Sequence, residues 1–331
     1  MTQTQQPAAL PIPGYTDFRR RRSFATTMRK AGVLARRNKL GAVGVGLVLL
    51  ILFVAIFSPI IKRYDDTRQF QTVNPDFNPT ASPFDIAANP GLASPNILDR
   101  WESPFGSEHW LGTDQFGRDI YSRIVVGARL AVFIGVGASL IAVLSGTMVG
   151  LVSGYFGGKV DLVIQRFVDA IQAFPGLVLL MLIVSIMEKP SLPLMIAALG
   201  FLGFATSVRI VRSSVLAVSQ TAFVEAARSY GATNIRIMLQ HVLPNILAAV
   251  LIVFSISIGA YILAEASLSF LGLGPADKTT WGKMVNAGRV ALDLHPWESV
   301  LAGAAISMAV LGFNLAGDAI RDELDPRLRG R

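Results

Sequence analysis

The sequence predicts an all-α polytopic membrane protein with six transmembrane helices. Three observations carry that expectation. Of 331 residues, 52% are hydrophobic and only 16% are charged, against about 25% charged in an ordinary soluble domain. Read from charge to charge, six stretches contain no Asp, Glu, Lys or Arg: Leu40–Ile61, Leu130–Gly158, Ala170–Met187, Pro190–Val208, Val242–Ala264 and Ser299–Gly317. Each is as long as the ~17–25 residues a helix needs to cross a bilayer, and none alternates as a barrel strand does. Basic residues gather at the ends: residues 1–39 hold nine Lys/Arg, Arg19 to Arg22 among them, against Asp17 alone. Buried helices of a soluble protein run shorter and carry polar caps, so six such runs exclude that class.

In chain order, residues 1–39 form a basic N-terminal tail whose charge places it in the cytoplasm. Residues 40–61 are the first span, too long and too far from Met1 for a signal-peptide core. Residues 62–129 form an extracytoplasmic loop, rich in Pro, Asn, Asp and Ser over 62–109, longer than a connector and too irregular to read as a domain. Residues 130–320 hold the other five spans. In the second, Gly146, Gly150 and Gly154 make a small-xxx-small ladder suited to close helix packing. Loops then face outward at about 188–193 and 267–298, and inward at 155–163 and 215–241. Six spans return residues 321–331, with Arg321, Arg327, Arg329 and Arg331, to the cytoplasm. With basic residues flanking spans, the net charge of +8 calls for no nucleic acid. The chain has no cysteine, so no disulfide bears on its compartment.

Several patterns suggest chemistry and have plainer readings. Asp114 and Asp119 in "GTDQFGRD" are two acids beside an arginine on an outer loop, a pattern of turn caps and ion pairs. Gly158-Lys159 is followed by Val160 and follows a span, so it is not the phosphate loop G-x-x-x-x-G-K-[ST]. His109, His241 and His295 lack metal-ligand spacing. Asp169, Glu265 and Asp318 border charge-free runs and read as interfacial anchors, with Arg166 and Asp169 spaced to pair on one helix face.

The inward loop is the most informative segment. In "VEAARSYGATNIRIMLQHVLPN" (224–245), Val218 to Tyr230 can form a short helix that Gly231 caps in the left-handed conformation. Thr233 or Asn234 can cap a second helix, and Pro244 falls near the start of the fifth span, where its missing N–H costs least. Helix, turn and helix make a projecting knob, with Ala226 and Ala227 as a small surface and Glu225 as a free carboxylate. From spacing alone, a re-entry hairpin without a partner explains the loop as well.

Glu225-Ala226-Ala227, three residues, Gly231, nine residues, then His241-Val242-Leu243-Pro244 resembles the EAA loop of ABC-importer permeases, with His241 where that motif has Ile. "HWLGTDQFGRDIYSRIVVGARLAV" (109–132), "GGKVDLVIQRFVDAIQAFPG" (157–176), "EASLSFLGLG" (265–274), Trp281-Gly282 and "FNLAGDAIRDELDPRLR" (313–329) are similar to the C-type permeases of the dipeptide/oligopeptide/nickel group. The resemblance runs from about Leu40 to the C-terminus, with a 62–108 loop longer than usual and no Pro-rich pattern between Gly274 and Trp281.

The resemblance implies a type I ABC importer (MetI-like): an N-terminal helix beside a five-helix core in a bacterial cytoplasmic (inner) membrane. It implies that Glu225, Ala226, Ala227, Gly231, Leu243 and Pro244 dock an ATPase subunit. It also implies a second permease forming a heterodimer, two cytoplasmic ATPase subunits that hold the ATP and Mg, and an extracytoplasmic substrate-binding protein. This chain would then carry no cofactor, metal or catalytic residue, and would form half of a path for di- or oligopeptides. Nickel chelates, glutathione or another small solute are alternative cargoes. A secondary transporter would need a coupling-ion site and often inverted repeats, and a membrane enzyme a cluster of polar residues, for which Asp114 and Asp119 are the sole candidates.

Overall fold

The computed structural model describes residues 39–74, 76, 78–82, 87, 89, 96–102, 104, 108–186 and 190–324. The basic tail up to residue 38 and Arg327, Arg329 and Arg331 lie outside the described residues. Helix α1 covers Lys39–Ile61. A two-stranded antiparallel ribbon, β1 Gln71–Val73 and β2 Asn96–Leu98, pairs Gln71 with Leu98 within the loop, a small departure from an all-α chain. The membrane-crossing elements are otherwise helical, as a solvent without hydrogen-bond partners requires.

Helix α2, Ile120–Phe156, begins ten residues before its charge-free run. Arg123 and Arg129 therefore lie inside the helix, and the expected loop 62–129 ends at Asp119. At about 1.5 Å per residue the helix is ~55 Å long, well beyond a ~30 Å hydrocarbon core. Next come α3, Gly158–Gln172, and α4, Gly176–Ser185, set at 79° to one another. The expected span Ala170–Met187 thus contains the break between these two helices. Pro175 sits at the break as the N-cap of α4, where its ring and missing N–H do least damage. Helix α5 covers Leu192–Ser219 and α6 Ala222–Ser229. Helix α7 runs over Asn234–Phe270, with a π-helical stretch at Ile237–Val242 and α-helix from Leu243. Short α8, Trp281–Gly288, precedes α9, Trp297–Leu324.

The glycine ladder sets the arrangement. A Cβ on Gly146 would lie 2.4 Å from Ser207 Cβ, on Gly150 2.8 Å from the Val208 carbonyl, and on Gly154 2.9 Å from the Arg212 carbonyl. Gly200 on α5 is in turn pressed against Ile141 of α2. Numbers rise together along both helices, so α2 and α5 are parallel. The chain between them must travel back over their whole length. Its contacts along α5 do so in order: Asp161 meets Arg212, Asp169 meets Arg209, Gln172 meets Thr206, and Gly176 meets Leu202. Leu180 and Val184 then pack with Leu199, Ile196 and Met195. Thus α3 and α4 run back along α5 as one span broken at Pro175, which with the five long helices makes six candidate spans among the described residues.

Helix α9 is antiparallel to both α1 and α7: Gly44 abuts Leu315 and Gly312 abuts Leu47, while Gly259 faces Val310 and Gly317 faces Ser255. Ile51, Ile258, Ile262, Ala305 and Phe313 fill the space between them. Trp281 of α8 lies on Gly127, and its indole N–H donates to the Ile124 carbonyl at 3.0 Å. The long loop folds back on this end. Tyr64 N–H donates to Ser122 Oγ (3.0 Å), Thr279 Oγ1 to Asp66 Oδ2 (2.6 Å), and Phe70 N–H to the Gly117 carbonyl (2.8 Å).

A side chain at Gly150 must overpack the α2–α5 contact, a change that costs about 1–3 kcal/mol. Gly150→Leu should lower the melting temperature of the detergent-purified protein, whereas Gly303→Leu, with nothing within 4 Å of a Cβ, should not. Equal melting of both variants would show that the ladder is not a packing contact.

Candidate coupling site

The knob follows α5 after a short break. Thr221 precedes α6 in extended conformation, and its hydroxyl donates to the Val218 carbonyl at 2.6 Å. The helical period of α6 then sorts its residues. Val224 is fully buried against a cluster containing Val211 and Val215 of α5 and Ile237, Val242 and Ile246 of α7. Glu225 and Ala226 face solvent, and Ala227 is half-buried. Among the described residues the Glu225 carboxylate has no ion pair or hydrogen bond, in the helix's first turn, where the dipole favours an anion.

Gly231 ends α6 at φ +77°. Its N–H donates to the Arg228 carbonyl (3.0 Å) and that of Ala232 to the Ala227 carbonyl (3.1 Å), the two bonds of a Schellman cap. Ala227 and Ala232 both pack on the apolar cluster, closing the turn. Thr233 caps the next helix, its hydroxyl oxygen accepting from Arg236 N–H at 3.4 Å. The end of α2 braces the knob from the side: Tyr155 Oη donates to Asn234 Oδ1 at 3.0 Å, and the Arg228 guanidinium lies over the Tyr155 ring at 5.8 Å.

Pro244 stands in the first turn of the α-helical part of α7, Leu243–Phe270, as expected near the start of the span. What the sequence did not show is that the helix from Asn234 runs into it without a break, through the π turn. The π turn before it accommodates the missing donor: Leu243 N–H bonds back to the Met238 carbonyl, and Asn245 Nδ2 donates to the His241 carbonyl at 2.6 Å. Leu243 is half-buried beneath the knob, while Pro244 is exposed. The structure therefore joins Glu225, Ala226, Ala227 and Gly231 in one exposed turn and places Leu243 and Pro244 at its base.

The other candidates have structural work. Asp114 accepts from the N–H groups of Phe116 (2.8 Å) and Arg118 (2.9 Å) and pairs with the Arg118 guanidinium (2.7 Å). Asp119 caps α2 through Ser122 N–H (2.8 Å) and holds His109 Nδ1 at 2.9 Å. His295 stacks on Trp101. Asp169 and Asp318 are exposed, and Asp169 lies 4.0 Å from Arg166 but 2.5 Å from Arg209 of α5.

Glu265 corrects the expectation of an interfacial anchor. It is 2% exposed and accepts from Ser269 Oγ at 2.5 Å, deep between α7 and α8. Nearby, Lys283 donates to the carbonyls of Pro275, Ala276 and Lys278. Burial holds its ammonium below the usual lysine range, while Glu265 and Asp277 pull it upward. Sequence reasoning missed Arg209 and Arg212, the partners of Asp169 and Asp161. It also missed Glu298, which is buried with neither oxygen hydrogen-bonded among the described residues.

A left-handed turn at a non-glycine residue costs about 1–2 kcal/mol. Gly231→Val should therefore speed hydrogen–deuterium exchange over residues 226–233 while residues 246–270 stay protected. Unchanged exchange in the turn would show that the cap does not depend on glycine.

Comparison with known proteins matches this architecture. The profile described as "Binding-protein-dependent transport system inner membrane component" matches residues 146–330. That described as "N-terminal TM domain of oligopeptide transport permease C" matches residues 35–83. The chain is 35% identical to the oligopeptide transport system permease protein OppC of Bacillus subtilis, over 89% of this chain and 88% of that protein. It is 35% identical to the dipeptide transport system permease protein DppC of Alkalihalophilus pseudofirmus, over 99% of each. It is 34% identical to the glutathione transport system permease protein GsiD of Pectobacterium atrosepticum, over 87% of each. The chain thus belongs to the family of binding-protein-dependent transport system inner membrane components, as a multi-pass permease subunit of an ABC importer.

Proposed function

We propose that this permease forms half of a path for di- or oligopeptides and is driven through its 225–244 knob by cytoplasmic ATPase subunits. One observation carries the mechanism. Glu225, without a hydrogen bond or ion pair among the described residues, stands on an exposed turn whose buried core is shared by two spans, α5 and α7. A basic groove on an ATPase subunit complements that carboxylate. When ATP closes two such subunits, the displaced knob moves α5 and α7 together, and α2 follows through Tyr155. Nucleotide shifts the inward and outward populations only by binding them unequally, and the docked knob is where that difference enters. ATP and Mg belong to the partners, because Val160 follows Gly158-Lys159 and leaves no phosphate loop here.

The cargo reading rests on the relatives named for oligopeptide and dipeptide transport. On this reading a second, related permease completes the path as a heterodimer, and a binding protein delivers peptide from outside. The membrane is the bacterial cytoplasmic one, with both chain ends inside. Competition by glutathione or nickel chelates against labelled trialanine separates the alternative cargoes.

Glu225→Lys should reduce uptake by at least about tenfold, because removing one partner of a desolvated interface pair costs roughly 2–5 kcal/mol. Thermal stability should stay within about 0.5 kcal/mol, as for other surface substitutions. Uptake and ATPase co-purification at matched membrane abundance decide the matter. Full retention of both would reduce the knob to a re-entry hairpin.

The orientation has its own test. In a chain without cysteine, Thr80→Cys should react with an impermeant reagent from outside, and Ser23→Cys only after permeabilisation. Equal labelling from outside would rule out the proposed orientation.

A further inference from the structure

The bend in the third span leaves space that the chain does not fill. In the crook between α3, α4 and α5 is an open cavity of about 550 Å³, walled by Gln172, Phe174, Gly176, Leu202, Thr206 and Arg209 among others. Its depth follows from α5. At about 1.5 Å per residue from Leu192, Leu202 lies ~15 Å and Arg209 ~25 Å along a helix crossing a ~30 Å core. On the proposed orientation the cavity extends from mid-bilayer to its inner edge.

Among the described lining residues Arg209 carries the charge, and its partner Asp169 adjoins the cavity without lining it. The Arg209 guanidinium is 2.5 Å from the Asp169 carboxylate, with side chains 47% and 48% exposed. Arg166 flanks the pair at 4.0 Å, and Gln172 Nε2 donates to Thr206 Oγ1 at 3.4 Å. Half-exposed charges at the inner edge of a bilayer face water or a partner group rather than acyl chains. The volume falls within the ~300–1,000 Å³ of small-molecule sites. The chemistry is that of a zwitterion's counterpart, a guanidinium for a carboxylate beside a carboxylate for an ammonium, with Phe174 and Leu202 as indifferent apolar walls.

We propose that this cavity is a station on the translocation path for a short zwitterionic peptide, whose carboxylate Arg209 takes and whose ammonium Asp169 takes. The two residues satisfy one another until the peptide arrives and part to receive it. The proposal rests on the peptide-importer reading and adds the place in this subunit where cargo is held.

The test uses Thr206→Cys in the importer purified with its partner subunits and reconstituted in liposomes. A sulfonated methanethiosulfonate, applied from the side of the knob, should label this chain. Trialanine at ten times its half-protecting concentration leaves about one tenth of sites free and should slow labelling about tenfold. N-acetyl-trialanine amide, which lacks both charges, should not slow it. Absence of labelling would mean that lipid or the second permease covers the cavity, and would overturn the station. Labelling that neither peptide slows, or that both slow equally, would overturn it too. ATP-driven trialanine uptake by the unsubstituted complex separates the two levels. Intact uptake with an unprotected thiol sinks the station alone, while absent uptake sinks the peptide reading and the station with it.

Discussion

The backbone contact between α2 and α5 is the constraint on which the other spans depend. In a bilayer no hydrophobic force drives helices together, so close approach over small residues must supply the contact energy. Gly146, Gly150 and Gly154 let α2 ride on the Ser207–Val215 stretch of α5 with no side chain of α2 at these three positions between them. Because the two helices are parallel, the segment joining them has to recross the membrane, and α5 becomes its track. Arg209 and Arg212 hold α3 by its two aspartates, and Leu199 holds α4. The same helix ends in Val211 and Val215, the floor beneath the knob. One helix therefore positions both the broken span and the candidate coupling turn.

What the sequence reveals divides along the range of the interactions. The Gly231 cap, the Thr233 cap and the exposure of Glu225 are local and follow from residue type and helical period. The glycine ladder is local as well, since its spacing marks a face before any partner is known. The misread elements depend on distant partners. A charge-free window stops at Asp169, although Arg209, forty residues away, neutralises that carboxylate and lets α3 pack beside α5. It stops again at Arg129 and so misses the first turns of α2, where Arg123 is buried by a loop contact to the Asp66 carbonyl at 3.2 Å. Glu265 looked like an interfacial anchor because nothing near it in sequence marks Thr280, which hydrogen-bonds its carboxyl, and Lys283 as its neighbours. The loop's attachment is beyond a sequence reading for the same reason, since Thr279 and Asp66 stand 213 residues apart.

The packing of the knob suits the proposed coupling role. Its exposed surface is a single turn, but its buried side is continuous with two spans and braced by a third, so bending it alone would open the Val224 cluster. Exposing one fully buried aliphatic side chain costs about 1.5–3 kcal/mol, and Val224, Ile237 and Val242 would all be affected. On the proposed coupling, the spans would instead move with the knob as packed units, since the Val224 cluster joins α5 and α7 behind it.

The π turn below the knob follows from the same packing, and it accounts for the departure at His241. The residues of α7 buried in the knob cluster are Ile237, Met238, Val242 and Ile246. From Ile237 to Val242 is five positions, and from Val242 to Ile246 is four. In an unbroken α-helix the face of Ile237 recurs after three and four residues, which would turn His241 and then Pro244 or Asn245 into the apolar cluster. Met238, Val242 and Ile246 keep a four-residue spacing, and one wider turn lets Ile237 share their face while Asn245 stays outside and donates to the His241 carbonyl. It also falls just before Pro244, whose missing N–H would leave a gap in a regular ladder there. The position where the motif carries Ile is thereby rotated partly out of the core. A histidine is tolerated at that place because its neighbour Val242 does the packing.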